Sequence, residues 1–322
     1  MPAAAEGPVT VVMVPREKYH LAPWSLSQVR QAAPDAPVIY VDEARVPRRL
    51  RRWARRTAAA DPAVSHLPLS HPAGANECRA RGAALATTPY LLFLDNDAHP
   101  LPGAIEALVD CADSTGASFV APVCLYRDGR VHHVGGPVDI TDGPSGGRLV
   151  EAREHHGEAY DGVRHLLERS PIGAPELHGV LVRRSSLAAA GGVDTRLIAA
   201  MDCLDLGFRL GSVDGGGWQE PSAVVVYDDR RPRRGDLRLY AGRWARATVE
   251  ADIARFAAAW RIDPSDPRLG EHRAFLEQRR RRGFRAVRAP LRRIIGERSL
   301  VPVDRALDAV LDRATAGSRR TR

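Results

Sequence analysis

Lysine is all but missing from this chain. Of 47 basic side chains, 46 are arginine and Lys18 is the single lysine, a bias that, with the alanine-rich composition, reads as the mark of a GC-rich genome and not of nucleic-acid binding. Long apolar runs are missing too. Tyr90 to Leu94 and Ala223 to Tyr227 fall far short of the ~20 residues that cross a bilayer, which excludes a transmembrane helix. Four cysteines, at 78, 111, 124 and 203, show no C-x-x-C spacing, which excludes a disulfide framework or a cysteine-rich zinc site and leaves reduced structural thiols as the expectation. No G-x-G-x-x-G follows a strand and no G-x-x-x-x-G-K-[ST] occurs, so dinucleotide-binding and P-loop chemistry are excluded. Met1 to Pro8 carry neither a basic start nor an apolar stretch before a cleavage site, so the expected location is the cytoplasm.

What is present is a chain of 322 residues, 44% apolar and 27% charged, enough for one large or two small domains with a sizeable core. The net charge of +8 is uneven. Residues 271–322 hold fifteen Arg against six acidic residues, so residues 1–270 sum to about −1 and the basicity belongs to the C-terminal tail. Val9 to Val14, Pro37 to Asp42, His66 to Ser70 and Pro89 to Leu94 read as strands, separated by helices over Ser25–Ala33, Arg48–Ala60 and Ala75–Ala86. Strands that are continuous apolar runs belong to a parallel sheet covered on both faces, so the fold class is α/β.

Beyond these, Pro102–Thr115 reads as a helix and Ser118–Leu125 as a strand, and Arg127–Pro175 has weak periodicity and reads as a long loop, of a length that is either functional or disordered. Gly179–Arg183 and Ser222–Tyr227 read as strands, Ser185–Ala190 and Ala199–Leu210 as helices, and Leu237–Trp260 as one amphipathic helix. A basic helical extension is expected from residue 263.

Ligands of open parallel sheets bind beyond the carboxyl ends of the strands, where Asp42, Asp95 and Asp97 fall. Two carboxylates two residues apart at such a place suit Mg²⁺ or Mn²⁺ carrying substrate phosphates, while Asp-x-Asp is also a common turn sequence. Asp202 and Asp205 are three apart and share a helix face, which suits a general base. Histidines cluster at 132, 133, 155, 156, 165 and 178 without a standard zinc spacing, and His178, next to Glu176, is the best placed for an acceptor-side role.

Several segments, in order, resemble the family 2 glycosyltransferases, which have the GT-A fold. Cys78-Arg-Ala-Arg-Gly82 is similar to that family's A-R-N-x-G, Tyr90-Leu-Leu-Phe-Leu-Asp-Asn-Asp97 to Y-x-x-F-x-D-x-D, and Gly191-Gly-Val-Asp194 to G-G-F-D. Asp202-Cys-Leu-Asp-Leu-Gly-Phe-Arg209 is similar to E-D-x-D-L-x-x-R, and Gly217-Trp-Gln-Glu-Pro221 to a segment that follows in some branches. The resemblance covers about residues 8–262. It implies a GT-A domain over 1–262, with a nucleotide-sugar half to about 125 and an acceptor half over 126–262, followed by the extension over 263–322.

The resemblance also implies roles. Pro15, Arg16, Glu17 and Asp42 are expected around the nucleoside, Arg79 near the diphosphate, and Asp95, Asn96 and Asp97 around the nucleotide sugar. Asp95 and Asp97 are the expected ligands of Mn²⁺ or Mg²⁺, and Asp202 or Asp205 the expected base of an inverting, hexosyltransferase-type reaction. Asp202 is preferred because it lies nearer the helix start. Cys203 and Ala80 depart from the family pattern, and Tyr227-Asp228-Asp229 stands where many relatives carry a metal-binding His. The expected partners are a nucleoside-diphosphate sugar and an unidentified acceptor, with no nucleic acid. The basic tail is a candidate for peripheral contact with a membrane or an acidic acceptor. The competing reading is a GT-A-like protein that binds a sugar nucleotide or partner without catalysis.

Overall fold

The computed structural model describes residues 7–213 and 215–283, together with positions 293, 294, 296, 302, 306 and 309. The remainder of the expected basic tail, including Phe284, Val287 and Leu291, lies outside the described residues.

The first half is a repeating strand–helix unit: β1 (Val9–Val14), α1 (Ala22–Ala32), β2 (Val38–Asp42), α2 (Arg48–Ala60), β3 (Val64–Pro68), α3 (Ala75–Ala83) and β4 (Tyr90–Asp95). β1 pairs in parallel with β2 and β4, and β2 with β3. Alternate residues of each strand enter different cores because successive side chains point to opposite faces. Val11 and Met13 of β1, with Leu92 and Leu94 of β4, meet Leu26 and Val29 of α1 and Ala54 of α2. Val12, Val14, Leu91 and Phe93 meet Cys78 of α3 on the other side. Gly82 explains how closely α3 lies on the sheet: a Cβ there would stand 2.4 Å from Val12 Cγ1.

The second half comprises β5 (Ala98–Pro100), α4 (Ala104–Thr115), β6 (Phe119–Tyr126), β7 (Val131–His133), β8 (Val138–Thr141), β9 (Arg148–Glu151) and α5 (Tyr160–Val163). Then come β10 (Ser170–Ile172), β11 (Gly179–Arg183), α6 (Arg184–Ala189), α7 (Asp202–Gly211), β12 (Gly217–Tyr227), α8 (Leu237–Arg243), α9 (Arg246–Ala259) and α10 (Pro267–Gly283). The main sheet has the order β10-β12-β6-β11-β4-β1-β2-β3, with β5 on β12 and β7 on β6, and β8-β9 form a separate ribbon. β11 runs antiparallel between β4 and β6, so the sheet is parallel in its first half and mixed in its second.

Three local expectations change. Arg127–Pro175 is not a loop but carries β7 to β10 and α5, whose three- and four-residue lengths are too short to register a period. The single helix expected over Leu237–Trp260 breaks into α8 and α9 at Trp244 and Ala245. The strand expected over Ser222–Tyr227 starts earlier, at Gly217, and runs through Pro221 by way of an irregularity in its pairing with β6 between Glu220 and Val224. Tyr90, Phe93 and Trp244 are buried core residues, and Trp53 packs half-buried against the core. Among the described residues no helix is long and apolar enough to cross a membrane.

Candidate functional site

The buried strand β4 delivers Asp95, Asn96 and Asp97 to the edge of the core, all three buried. Asn96 ties two loops together: its Oδ1 accepts the Arg16 N–H at 2.9 Å and its Nδ2 donates to the Lys18 carbonyl at 2.8 Å. The loop after β1 is thereby fixed against the end of β4. Pro15 is buried at the start of that loop.

Two arginines join Asp95 to Asp202. Arg79, fully buried on α3, donates to Asp95 Oδ1 at 2.7 Å and reaches Asp202 Oδ2 at 3.5 Å. Arg16 lies 3.4 Å from Asp95 Oδ2 and 3.1 Å from Asp202 Oδ2. Asp202 opens α7 immediately after Met201, whose φ of 62° turns the chain sharply into the helix, so its charge faces the helix N-terminus. The preceding loop is held by Asp252 of α9, which accepts the N–H groups of Ile198, Ala199 and Ala200 at 2.9, 2.6 and 3.1 Å. Burial works to raise the Asp202 pKa, but the Arg16 and Arg79 guanidiniums outweigh it and hold the carboxyl below its ordinary range.

Asp97 has a different partner, which the sequence reading passed over. Lys18 Nζ donates to Asp97 Oδ2 at 2.8 Å, to the Tyr227 hydroxyl at 3.0 Å and to the Asp228 carbonyl at 2.6 Å, so all three of its hydrogens have acceptors. Burial alone would favour the neutral amine, but Asp97 and Tyr227 raise the Lys18 pKa and keep it an ammonium. A signal existed in composition: the chain's one lysine among 46 arginines sits at the carboxylate pair.

Asp97 Oδ1, by contrast, is buried without a hydrogen-bond partner. His178, at the foot of β11, brings a ring nitrogen into the same space, the donor atoms of Asp95, Asp97 and His178 lying within 4.8 Å of one another. Its Nδ1 is paired with Glu176 Oε1 at 2.7 Å, which leaves the other nitrogen for a ligand. Two carboxylates and an imidazole around an unsatisfied oxygen fit a divalent cation of the Mn²⁺ kind. The Asp228 carboxylate is occupied by Arg230, at 2.5 to 2.9 Å, and Asp229 is exposed.

A cleft of about 140 Å³, open to solvent, lies beside this cluster. Of the expected site residues, Arg16, Glu17, His178 and Asp202 line it, while Pro15, Asp42, Arg79, Asp95, Asn96, Asp97 and Asp205 stand outside its lining. Asp42 is fully buried, with His66 at 2.9 Å and Arg51 at 3.3 Å. Asp205 accepts from Arg209 at 2.6 Å and from Trp260 Nε1 at 3.0 Å, tying α7 to the end of α9. Two cleft arginines come from the C-terminal helices and were not foreseen, Arg243 of α8 and Arg279 of α10. Burial tends to raise the Glu17 pKa, but Arg243, 3.5 Å away, and Arg279 bring it down to about 2.

A β-α-β half-sheet that ends in a buried carboxylate pair, facing a cleft closed by a second, mixed half, defines a GT-A architecture. Residues 21–157 match the family described as glycosyl transferase family 2. A pre-mycofactocin glycosyltransferase of Mycobacterium tuberculosis is 27% identical over 177 residues, 55% of this chain and 34% of the relative, so the chain spans about a third of the length of the curated relatives it matches. The solved mannosyltransferase PcManGT from Pyrobaculum calidifontis, in complex with GDP-Man and Mn²⁺, has a TM-score of 0.53 at 18% identity, over 99% of this chain and 85% of that one. GalNAc-T7 with UDP, GalNAc and Mn²⁺ gives 0.52 at 13%, over 89% and 58%. The chain has the GT-A fold, and its residues 21–157 are similar to glycosyl transferase family 2.

Proposed function

We propose that the chain is an inverting, hexosyltransferase-type enzyme that moves a sugar from a nucleoside diphosphate to an acceptor hydroxyl. The observation that carries this reading is the sharing of Arg16 and Arg79 between Asp95 and Asp202, which places an ionised carboxylate on the cleft wall beside the carboxylate pair. Asp97, with Asp95 and His178, would hold Mn²⁺ or Mg²⁺, which supplies Lewis-acid stabilisation of the diphosphate as it leaves. Arg16 and Glu17, both on the cleft wall, carry the nucleotide, with Asp42 behind them.

Asp202 is the base. It accepts the acceptor's hydroxyl proton as that oxygen bonds to the anomeric carbon from the face opposite the diphosphate, and the carbon–phosphate-oxygen bond breaks with its electron pair going to the leaving group. Its lowered pKa makes it fully ionised near neutrality, and Asp205, already held by Arg209 and Trp260, is its anchor. A cytoplasmic location and peripheral contact of the basic tail with a membrane or an acidic acceptor are part of the same proposal.

Water can stand in for the unidentified acceptor, so hydrolysis of a panel of nucleotide sugars measures turnover directly. Asp202→Asn is expected to lower that turnover by ~10²- to 10⁴-fold while leaving nucleotide-dependent stabilisation in place, and NMR of the first product is expected to show the inverted anomer. Native chain that binds nucleoside diphosphate yet turns over no sugar nucleotide would assign the non-catalytic reading instead.

A further inference from the structure

His132 of β7 is anomalous: its side chain is only 11% exposed, yet neither ring nitrogen has a hydrogen-bond partner. A buried imidazole normally satisfies at least one nitrogen, and leaving both unsatisfied carries a desolvation cost. Two other groups face the same space. The Cys124 thiol of β6, one ring nitrogen of His132 and one of His178 lie within 4.8 Å of one another. Behind them stands Glu176, bonded to His178 Nδ1 at 2.7 Å and 3.9 Å from His132 Nε2. A carboxylate on the far nitrogen of a histidine fixes its tautomer and raises its basicity as a metal ligand.

We infer that Cys124, His132 and His178 form a second metal site, one for a soft cation of the Zn²⁺ kind, distinct from the oxygen-rich pair at Asp95 and Asp97 but sharing His178 with it. The donor sets select different ions. A thiolate and two imidazoles favour Zn²⁺, whereas two carboxylates favour Mn²⁺ or Mg²⁺. On binding, the Cys124 thiol loses its proton to solvent and its sulfur bonds the metal, with no change of oxidation state. Near the site burial, with Glu176, Asp95 and Asp97, raises the Cys124 pKa, so without a cation the thiol stays protonated. Because His178 can serve one ion at a time, Zn²⁺ removes it from the carboxylate pair and opposes turnover. That inhibition rests on the glycosyltransferase reading, whereas the binding does not.

The test uses the full-length chain, stripped by a chelator, with no nucleotide or sugar present. Zn²⁺ is titrated against a chromophoric chelator, and Co²⁺ is added in parallel. Expected are one Zn²⁺ per chain, release of a proton and a near-ultraviolet thiolate-to-cobalt band. Cys124→Ser is expected to abolish the band, and Glu176→Gln to weaken Zn²⁺ by ~10- to 100-fold. Cys203→Ser, which removes the other thiol near Glu176, and Asp97→Asn are expected to leave both readouts as they are. Should Cys124→Ser fail to fold, His132→Gln carries the same test through loss of Zn²⁺ affinity. Absence of Zn²⁺ binding, a band that survives Cys124→Ser, or binding that is lost in Asp97→Asn and kept in His132→Gln overturns the inference.

Discussion

Lys18→Met removes one partner of a buried ion pair and leaves the other behind. Lys18 and Asp97 are each 2% exposed and 2.8 Å apart, and the ammonium also supplies the hydrogen bonds of the Tyr227 hydroxyl and the Asp228 carbonyl. Stranding a buried carboxylate costs about 3–5 kcal/mol. In a chain of 322 residues each kcal/mol moves the melting temperature by roughly 1.5 °C, so the variant is expected to melt roughly 4–8 °C lower. Removing both charges relieves most of that cost, so Lys18→Met with Asp97→Asn is expected to recover more than half of the loss in a double-mutant cycle. Mn²⁺ is expected to stabilise Lys18→Met more than the native chain, because both Asp97 oxygens are then free to ligate. Differential scanning calorimetry with and without Mn²⁺ reads all three quantities. A loss under about 1 kcal/mol, or two single losses that simply add, would refute the claim that Lys18 neutralises Asp97.

Gly82→Ala tests the packing of α3 on β1. Alanine favours helix by about 1 kcal/mol over glycine, yet its Cβ would meet Val12 Cγ1 at 2.4 Å and Val41 Cγ2 at 3.2 Å, so a net loss of about 1–3 kcal/mol is expected in urea melts, and a gain would contradict the close approach. Acid tests the docking of α10 on β9 through Glu151 and His272, 2.7 Å apart. Burial tends to raise the Glu151 pKa, but His272 and Arg153 lower it from 4.5 to about 2. A carboxyl lowered in the folded state stabilises above its unfolded pKa and loses that contribution as pH falls through the folded one. The native chain is therefore expected to lose about 2 kcal/mol more than Glu151→Gln between pH 5 and pH 3, and parallel urea midpoints would remove this account of the contact.

The parallel half of the fold is legible in sequence for a physical reason: β1, β2 and β4 are buried on both faces, so they are unbroken apolar runs, and α2 has the residue range its pattern gives. β11 is equally apolar, but burial on both faces says nothing of direction, so its antiparallel insertion is invisible in composition. The ribbon β8-β9 is hidden because four residues cannot establish an alternation. At the site, Asp95, Asp97 and Asp202 are visible because acids at the ends of apolar elements stand out. The partners of Lys18, Arg243 and Arg279 are not, since they come from the meeting of segments as many as 210 residues apart, as in the Lys18 bond to the Asp228 carbonyl. Asp205 looks like Asp202 in sequence, and the indole of Trp260, 55 residues on, is what separates their surroundings.

The central claim is that Asp97 and its neighbours hold a metal-bound nucleoside diphosphate. Its most direct measurement is a thermal-shift panel of UDP, GDP, dTDP and CMP, each with and without Mn²⁺, on the native chain and on Asp97→Asn. Ligand at a hundred times its dissociation constant stabilises the folded state by ~2.7 kcal/mol. The account predicts that one diphosphate raises the native melting temperature only with Mn²⁺ and leaves Asp97→Asn unmoved. An equal shift in both proteins, or no shift with any nucleotide up to millimolar concentration, would contradict it.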